Sequence, residues 1–259
     1  MRNFNGLSAR GAALVTGASR GLGFEMAKKL SALGFDLVIT GCDGEALSRA
    51  AEAIGGNVSA VTADLSVPGE AERLYAAATS GGREISVLIN NAGLGASGEA
   101  WTVPAARDAE IISVNAASAL ILTKLFLKDA AKRGFGALCN VCSVGAFQPG
   151  PYTASYYASK SFLHSYTLAC RYEAKKYGVT VTSLCPGPLD TDFFKYAGAA
   201  KPALSMSAEK AADYAVKRIL KGRKTVVPGV LNRLARLVPA GVKTKVIAKM
   251  KRIQTQTDR

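Results

Sequence analysis

The chain reads as an α/β protein, a doubly wound parallel sheet of about seven strands with helices on both faces. Three observations predict it. Short apolar runs recur along the sequence, and most of the gaps between them carry helical periodicity, the alternation that builds βαβ units. Residues suited to ligands follow directly on the ends of those runs: Gly17, Asp64, Asn90, Ser143 and Pro186. In open sheets of this kind, ligands bind outside the carboxyl ends of the strands. The chain also has the size of one α/β domain: 259 residues, 49% hydrophobic and 20% charged, with no internal repeat, low-complexity segment or inter-domain linker.

The elements follow in order. The apolar run 12–15 predicts a first buried strand. It leads into the turn Thr16-Gly17-Ala18-Ser19-Arg20-Gly21-Leu22-Gly23 and then a helical segment from Phe24 to Leu30. Further strands are expected at 36–40, Val58–Thr62, Ile85–Asn90, Gly136–Val141, 179–185 and 225–227, with long helices at 109–132 and 155–177. Strand, glycine-rich turn and helix N-terminus make an anion site, where backbone N–H groups and the helix dipole face phosphates and glycines allow close approach.

A second constellation carries acid–base chemistry. Tyr156 and Lys160 stand four residues apart, on one face of the helix expected at 155–177. A nearby ammonium favours the tyrosinate, so the phenol is expected to exchange protons nearer neutrality than its usual pKa of about 10. That suits a general acid protonating an oxygen that has just gained a hydride. Tyr152, Tyr157 and Tyr166 are rivals, but only Tyr156 has this spacing.

Together with Asp64, Asn90-Asn91-Ala92-Gly93, Asn115, Ser143 and Pro186-Gly187 followed by Thr191, these motifs resemble the short-chain dehydrogenase/reductase family from about residue 10 to 230. The tail, including Val227-Pro228-Gly229, is similar to a bacterial subgroup of generic short-chain dehydrogenases. The resemblance implies a Rossmann-like fold and NAD(P)-dependent hydride transfer. Tyr156 would be the acid or base, Ser143 would bond the carbonyl oxygen, Lys160 would hold the nicotinamide ribose, and Asn115 would anchor a water relay. It places the cofactor against Gly17, Ser19, Arg20, Gly21, Leu22, Gly23, Asp64, Leu65, Asn91, Ala92, Gly93, Tyr156, Lys160, Pro186, Gly187 and Thr191. Relatives that prefer NAD place an acid just after the second strand, where this chain has Gly41, then Cys42 and Asp43. Arg20 offers a guanidinium to a 2′-phosphate, so NADP(H) is expected over NAD(H).

By the same resemblance the substrate pocket is lined by Leu94, Val144, Phe147, Gln148 and Phe193, with Trp101, Ala146, Tyr152, Leu189, Phe194 and Tyr196 as further candidates. This apolar lining suits a lipophilic carbonyl or secondary alcohol. Residues 188–206 are expected to form a lid. Homodimers or homotetramers through the helices containing Asn115 and Tyr156 are implied.

Charge separates the C-terminal end from the rest. Residues 195–259 hold 16 Lys+Arg and 3 Asp+Glu, so 16 − 3 gives +13 of the total +14. Leu231, Leu234, Leu237 and Val238, then Val242, Val246, Met250 and Ile253, recur at helical spacing. This predicts a dinucleotide-binding and catalytic region over 1–229, extended at 230–259 by a basic helical hairpin. Such a segment suits an acidic partner, such as an acyl carrier protein, or an anionic membrane surface. Nucleic acid is not expected, because the segment lacks interleaved aromatics. The alternative function class is a cofactor-binding sensor or surface-associated protein that works through this hairpin. With no secretory pattern, no apolar run of membrane-spanning length and five irregularly spaced cysteines, a cytoplasmic protein is expected, with peripheral attachment at the membrane open. No metal site is expected: Cys139 and Cys142 read as core residues, and His164, the single histidine, as structural.

Overall fold

The computed structural model of the protein describes residues 5–257. A short α1 (Asn5–Ser8) precedes the first βαβ units: β1 (Ala12–Thr16), α2 (Gly21–Ala32), β2 (Leu37–Gly41), α3 (Gly44–Ile54) and β3 (Val58–Thr62). After α4 (Glu70–Ala78) come β4 (Ile85–Asn90), α5 (Ala105–Ile112), α6 (Ala119–Arg133), β5 (Gly136–Val141), α7 (Ala154–Ala174) and β6 (Val179–Leu184). A two-strand ribbon, β7 (Leu189–Asp190) with β8 (Met206–Ser207), brackets α8 (Phe193–Tyr196). The order ends with α9 (Ala208–Leu220), β9 (Thr225–Val226), α10 (Val230–Ala235) and α11 (Ala240–Thr257).

The main sheet runs β3-β2-β1-β4-β5-β6-β9, every neighbouring pair parallel. All seven expected strands are present, none displaced by more than one residue at an end. The order reverses between β1 and β4, which opens a crevice at the carboxyl edge. Every residue of β1, β4 and β5 is buried, because helices cover both faces and no position can be left polar for water. One face packs Met26, Leu30, Leu47, Ala215 and Ile219 from α2, α3 and α9. The other packs Leu74, Leu122, Phe126 and Cys170 from α4, α6 and α7.

The helix expected at 109–132 begins earlier, at Ala105, and is interrupted by a π-turn over Ser113–Ser118 that contains Asn115. The continuous segment Ala105–Arg133 is, by length and composition, apolar enough to cross a membrane, contrary to the sequence expectation. Its apolar window is half buried inside the fold, where α6 packs on β4, β5, α4 and α7. The periodicity that ran on to 177 resolves as α7 followed by a 3-10 turn at Lys175–Tyr177, closed by the left-handed Gly178.

Beyond β9 the two basic helices form, but most of the apolar stripe marked by the sequence is exposed among the described residues. Leu231, Leu237, Val242, Val246 and Met250 are all more than half exposed. The side chain of Ile253, expected on the same stripe, lies outside the described residues.

Phe126 is fully buried, with its ring against the Cβ position of Gly136. Phe126→Ala is expected to lower stability by about 3–5 kcal/mol, read as a lower urea midpoint with an unchanged slope.

Candidate active site

The crevice is built first by close backbone approach. Gly17 has φ +63°, and a Cβ there would sit 2.9 Å from the Cα of Ala92. A Cβ on Gly23 would lie 2.3 Å from the Gly17 carbonyl oxygen and 2.4 Å from the Asn91 amide nitrogen. The loop after β1 thus fits against the loop after β4 only because both positions lack a side chain. Hydrogen bonds close the seam: Asn91 Nδ2 donates to the carbonyls of Thr16 (2.9 Å) and Gly17 (3.0 Å). The backbone N–H groups of Asn91 and Ala92 donate to Thr16 Oγ1. The segment from Ser19 to Leu22 then opens α2, presenting a helix N-terminus to the crevice. This cradle has the form a dinucleotide pyrophosphate requires.

Around it, Gly21 faces the Thr191 side chain, and Asp64 caps its own turn by accepting from the Ser66 N–H and hydroxyl, beside the buried Leu65. The Pro186 carbonyl accepts from the Val144 N–H, joining the loops after β5 and β6. At the end of β2, Gly41 faces Ser19, Cys42 is exposed, and the Asp43 carboxylate caps α3 by accepting from the Ala46 N–H. The Arg20 guanidinium is engaged within the fold. It lies 4.2 Å over the Tyr196 ring and donates to the Tyr196 hydroxyl at 2.9 Å.

The second half of the site gathers at the ends of β4 and β5. Asn115, fully buried in the π-turn, bonds both backbone groups of Leu94, accepting from its N–H and donating to its carbonyl. It also donates to Ser159 on α7. Lys160 is 3% exposed and donates to the Val141 carbonyl at 2.8 Å. Burial lowers its pKa to about 8. Ser143 starts the 3-10 turn Val144–Phe147, accepting from the Gly145 N–H. The Tyr156 phenol is pushed up to about 12, chiefly by burial, against a hydrogen bond with Ser143 that lowers it. This corrects the expected shift toward neutrality. The Lys160 ammonium turns to Val141, 5.9 Å from the Tyr156 ring centre, and desolvation of the phenol prevails.

Residues 11–202 match the short chain dehydrogenase family. The chain belongs to that family. A 1-deoxy-11-beta-hydroxypentalenate dehydrogenase of Streptomyces exfoliatus is 37% identical over 186 residues, covering 70% of this chain and 68% of that protein. A short-chain dehydrogenase from Sphingobium yanoikuyae in complex with NADPH superposes with a TM-score of 0.81 at 25% identity, covering 92% of this chain and 95% of that one. A 3-ketoacyl-(acyl-carrier-protein) reductase from Brucella melitensis complexed with NADH gives 0.75 at 26% identity, covering 84% and 96%. As a short-chain dehydrogenase, the protein is an oxidoreductase that moves hydride between a nicotinamide cofactor and an alcohol or carbonyl.

Of the substrate candidates in this short-chain dehydrogenase, Phe193 lies beside the phenol-bearing residue, its ring 5.3 Å from that of Tyr156 and closing on Gly95. Leu94, Val144 and Gln148 are half-buried on the adjoining loops. Phe147 turns away, edge-on to His164 at 5.1 Å and beneath the Arg236 guanidinium. Trp101 is 81% exposed, because its loop carries it onto the surface. Tyr196 is committed to Arg20. Open clefts lie on both sides of 191–198: one is lined by Gly21, Thr191 and Lys201, the other by Gly95, Arg107 and Ala197.

The sequence reading did not bring Cys142, His164, Ser183 and Cys185 together. The ligand atoms of Cys142, His164 and Cys185 lie within 4.8 Å of one another, and Ser183 bonds His164 at 2.7 Å and Cys142 at 3.3 Å. Burial raises the Cys142 thiol, but hydrogen bonds from Cys185, His164 and Ser183, with the Lys160 charge, outweigh it and hold the thiol low. The signal was present: Cys142 and Cys185 each follow the end of neighbouring strands, and His164 lies one turn after Lys160. The pairing considered from sequence, Cys139 with Cys142, spans opposite sides of the sheet.

Lys160 carries a stability cost with a definite pH dependence. Between pH 8 and 10.5 the unfolded chain keeps a proton that the folded chain releases, so stability rises with pH through that window. Lys160→Met is expected to stabilise the fold at pH 7 by about 1–2 kcal/mol, the desolvation gain less the stranded Val141 carbonyl. That gain should shrink toward pH 10. Urea titrations at the two pH values check it; a stability loss at pH 7 refutes it.

Proposed function

We propose that this dehydrogenase is an NADP(H)-preferring reductase of lipophilic carbonyl compounds, with Tyr156 as proton donor. The observation that carries the proposal is the grouping of Tyr156, Ser143, Lys160 and Asn115 beside a glycine cradle that side chains would fill. The cofactor, when bound, supplies the hydride. The cradle from Gly17 to Gly23, with Asn91 and Thr191, would hold its phosphates.

The protein's own groups do the rest. Burial keeps the Tyr156 phenol protonated at neutral pH, the form a donor needs in reduction. Ser143, at the start of the turn after β5, would bond the substrate oxygen as charge develops on it. Lys160 would bond the nicotinamide ribose and, as a cation, lower the phenol once both line one cavity. Asn115 fixes the loop after β4 and the first turns of α7 in one position. Phe193, Leu94 and Val144 make an apolar wall that suits a ketone, an aldehyde or a 3-oxoacyl group.

The preference for NADP(H) rests on two observations. Asp43, the acid nearest the end of β2, is occupied as a helix cap, and Arg20 stands at the mouth of the cradle. Association is proposed through α5–α7, whose outer residues Ile112, Phe162 and Tyr172 are exposed.

Two outcomes are expected. Tyr156→Phe should lower NADPH-dependent turnover of apolar ketones, aldehydes or 3-oxoacyl thioesters by about 10²–10⁴-fold while NADPH still binds by fluorescence titration. Retention of more than a few per cent of wild-type turnover would remove Tyr156 from the chemistry. Wild-type kcat/KM should be higher with NADPH than with NADH, and Arg20→Ala should narrow that ratio. The reverse ranking would overturn the cofactor preference.

A further inference from the structure

The net charge of this protein is concentrated where its apolar surface is most exposed. From Lys217 to Arg252 there are twelve basic residues and no acidic one. In the same stretch Leu231 is 72% exposed, Leu234 56%, Leu237 81%, Val242 53%, Val246 52% and Met250 57%. On α11, Val242, Val246 and Met250 follow one another at four-residue spacing and form a single ridge. Lys245 and Lys249, both exposed, form the neighbouring ridge. An apolar ridge with lysines alongside it is the pattern of a helix lying in the plane of a membrane surface.

We propose that α10 and α11 dock this protein onto an anionic lipid surface, with the apolar ridge among the acyl chains and Lys245 and Lys249 at the headgroups. Charge complementarity selects the occupant. A second copy packed on the same face would set two acid-free basic stretches against each other, and like charges across an interface are costly. Anionic headgroups neutralise the lysines while the hydrocarbon covers Val242, Val246 and Met250.

The placement of α10 gives the docking a consequence. The Asn232 side chain occupies the space beside Gly187, and the Arg236 guanidinium lies 4.6 Å over the Phe147 ring. Gly187 and Phe147 belong to the loops that carry Pro186 and Ser143. A docked α10 therefore holds the lipid surface beside the catalytic loops. The docking stands whatever substrate the site takes.

The test is co-sedimentation of the full chain with vesicles of equimolar phosphatidylglycerol and phosphatidylcholine, and with phosphatidylcholine alone. The expected result is binding to the anionic vesicles only, weakened by high salt. It should fall at least about tenfold both in Val242→Asp/Val246→Asp/Met250→Asp and in Lys245→Glu/Lys249→Glu. The second variant changes only exposed charges, so it remains informative if the first fails to fold. Carbonyl reduction by the lysine variant should stay at the wild-type rate. Absence of binding to anionic vesicles, or equal binding by both folded variants, overturns the proposal. So does a wild-type oligomer that ignores vesicles and dissociates in the triple variant, which would assign the ridge to a second copy. Retention only by an acidic carrier protein overturns it as well.

Discussion

The candidate site depends on keeping one ammonium out of water. Lys160 is held in its buried position by the Val141 carbonyl at the carboxyl end of β5, against a close approach that glycine at residue 93 leaves unobstructed. A Cβ at that position would sit 3.3 Å from Lys160 Nζ and 3.3 Å from Asn115 Oδ1. Four elements are therefore tied to one cation: β5 through the carbonyl, the loop after β4 through the missing side chain, the π-turn through Asn115 and α7 through Lys160 itself. A π-turn widens the helix locally, and this one holds the residue that joins the loop after β4 to α7. The lowered pKa of Lys160 reflects the same desolvation, which cost-free packing around a neutral side chain would not show.

Behind the site a second polar set holds the sheet to its helices. Asn90 and Asn140, facing each other on β4 and β5, are joined at 2.8 Å. Asn90 also donates to Thr123 and the Ala119 carbonyl on α6, and Asn140 donates to Thr167 on α7. In a core, each such group is costly unless its partners are fixed. The set therefore specifies how α6 and α7 sit on the sheet, and so where Tyr156 and Lys160 emerge.

Much of this was legible in the sequence because it depends on local pattern. Buried parallel strands read as short apolar runs, and all seven were found. Glycines needed for close approach, and an i, i+4 pair on a helix, are visible without a structure. What the sequence hid depends on which distant residues meet. Cys142 and Cys185 lie 43 positions apart, yet β5 and β6 are neighbours, so the thiols share His164 and Ser183. The family resemblance placed Trp101 and Phe147 in the pocket; the loops leave the first exposed and set the second edge-on to His164. The Tyr156 shift went the same way. Sequence supplies the lysine charge, but only packing shows that burial outweighs it. Helical spacing in α10 and α11 located the apolar stripe without revealing that most of it stays exposed among the described residues.

Arg20 shows why cofactor preference is harder to read than cofactor binding. Binding needs backbone N–H groups and space, both set by glycines whose effect is local. Preference depends on one side chain, and Arg20 is stacked on Tyr196 from α8. A 2′-phosphate would compete with the Tyr196 ring and hydroxyl for that guanidinium, and a charge-assisted, bidentate bond to phosphate is stronger than a neutral one to a phenol. Tyr196 belongs to the same short helix as Phe193, whose ring lies against Tyr156. Any exchange at Arg20 therefore acts on the helix that covers the phenol, so the residue proposed to select the cofactor also bears on access to the proton donor.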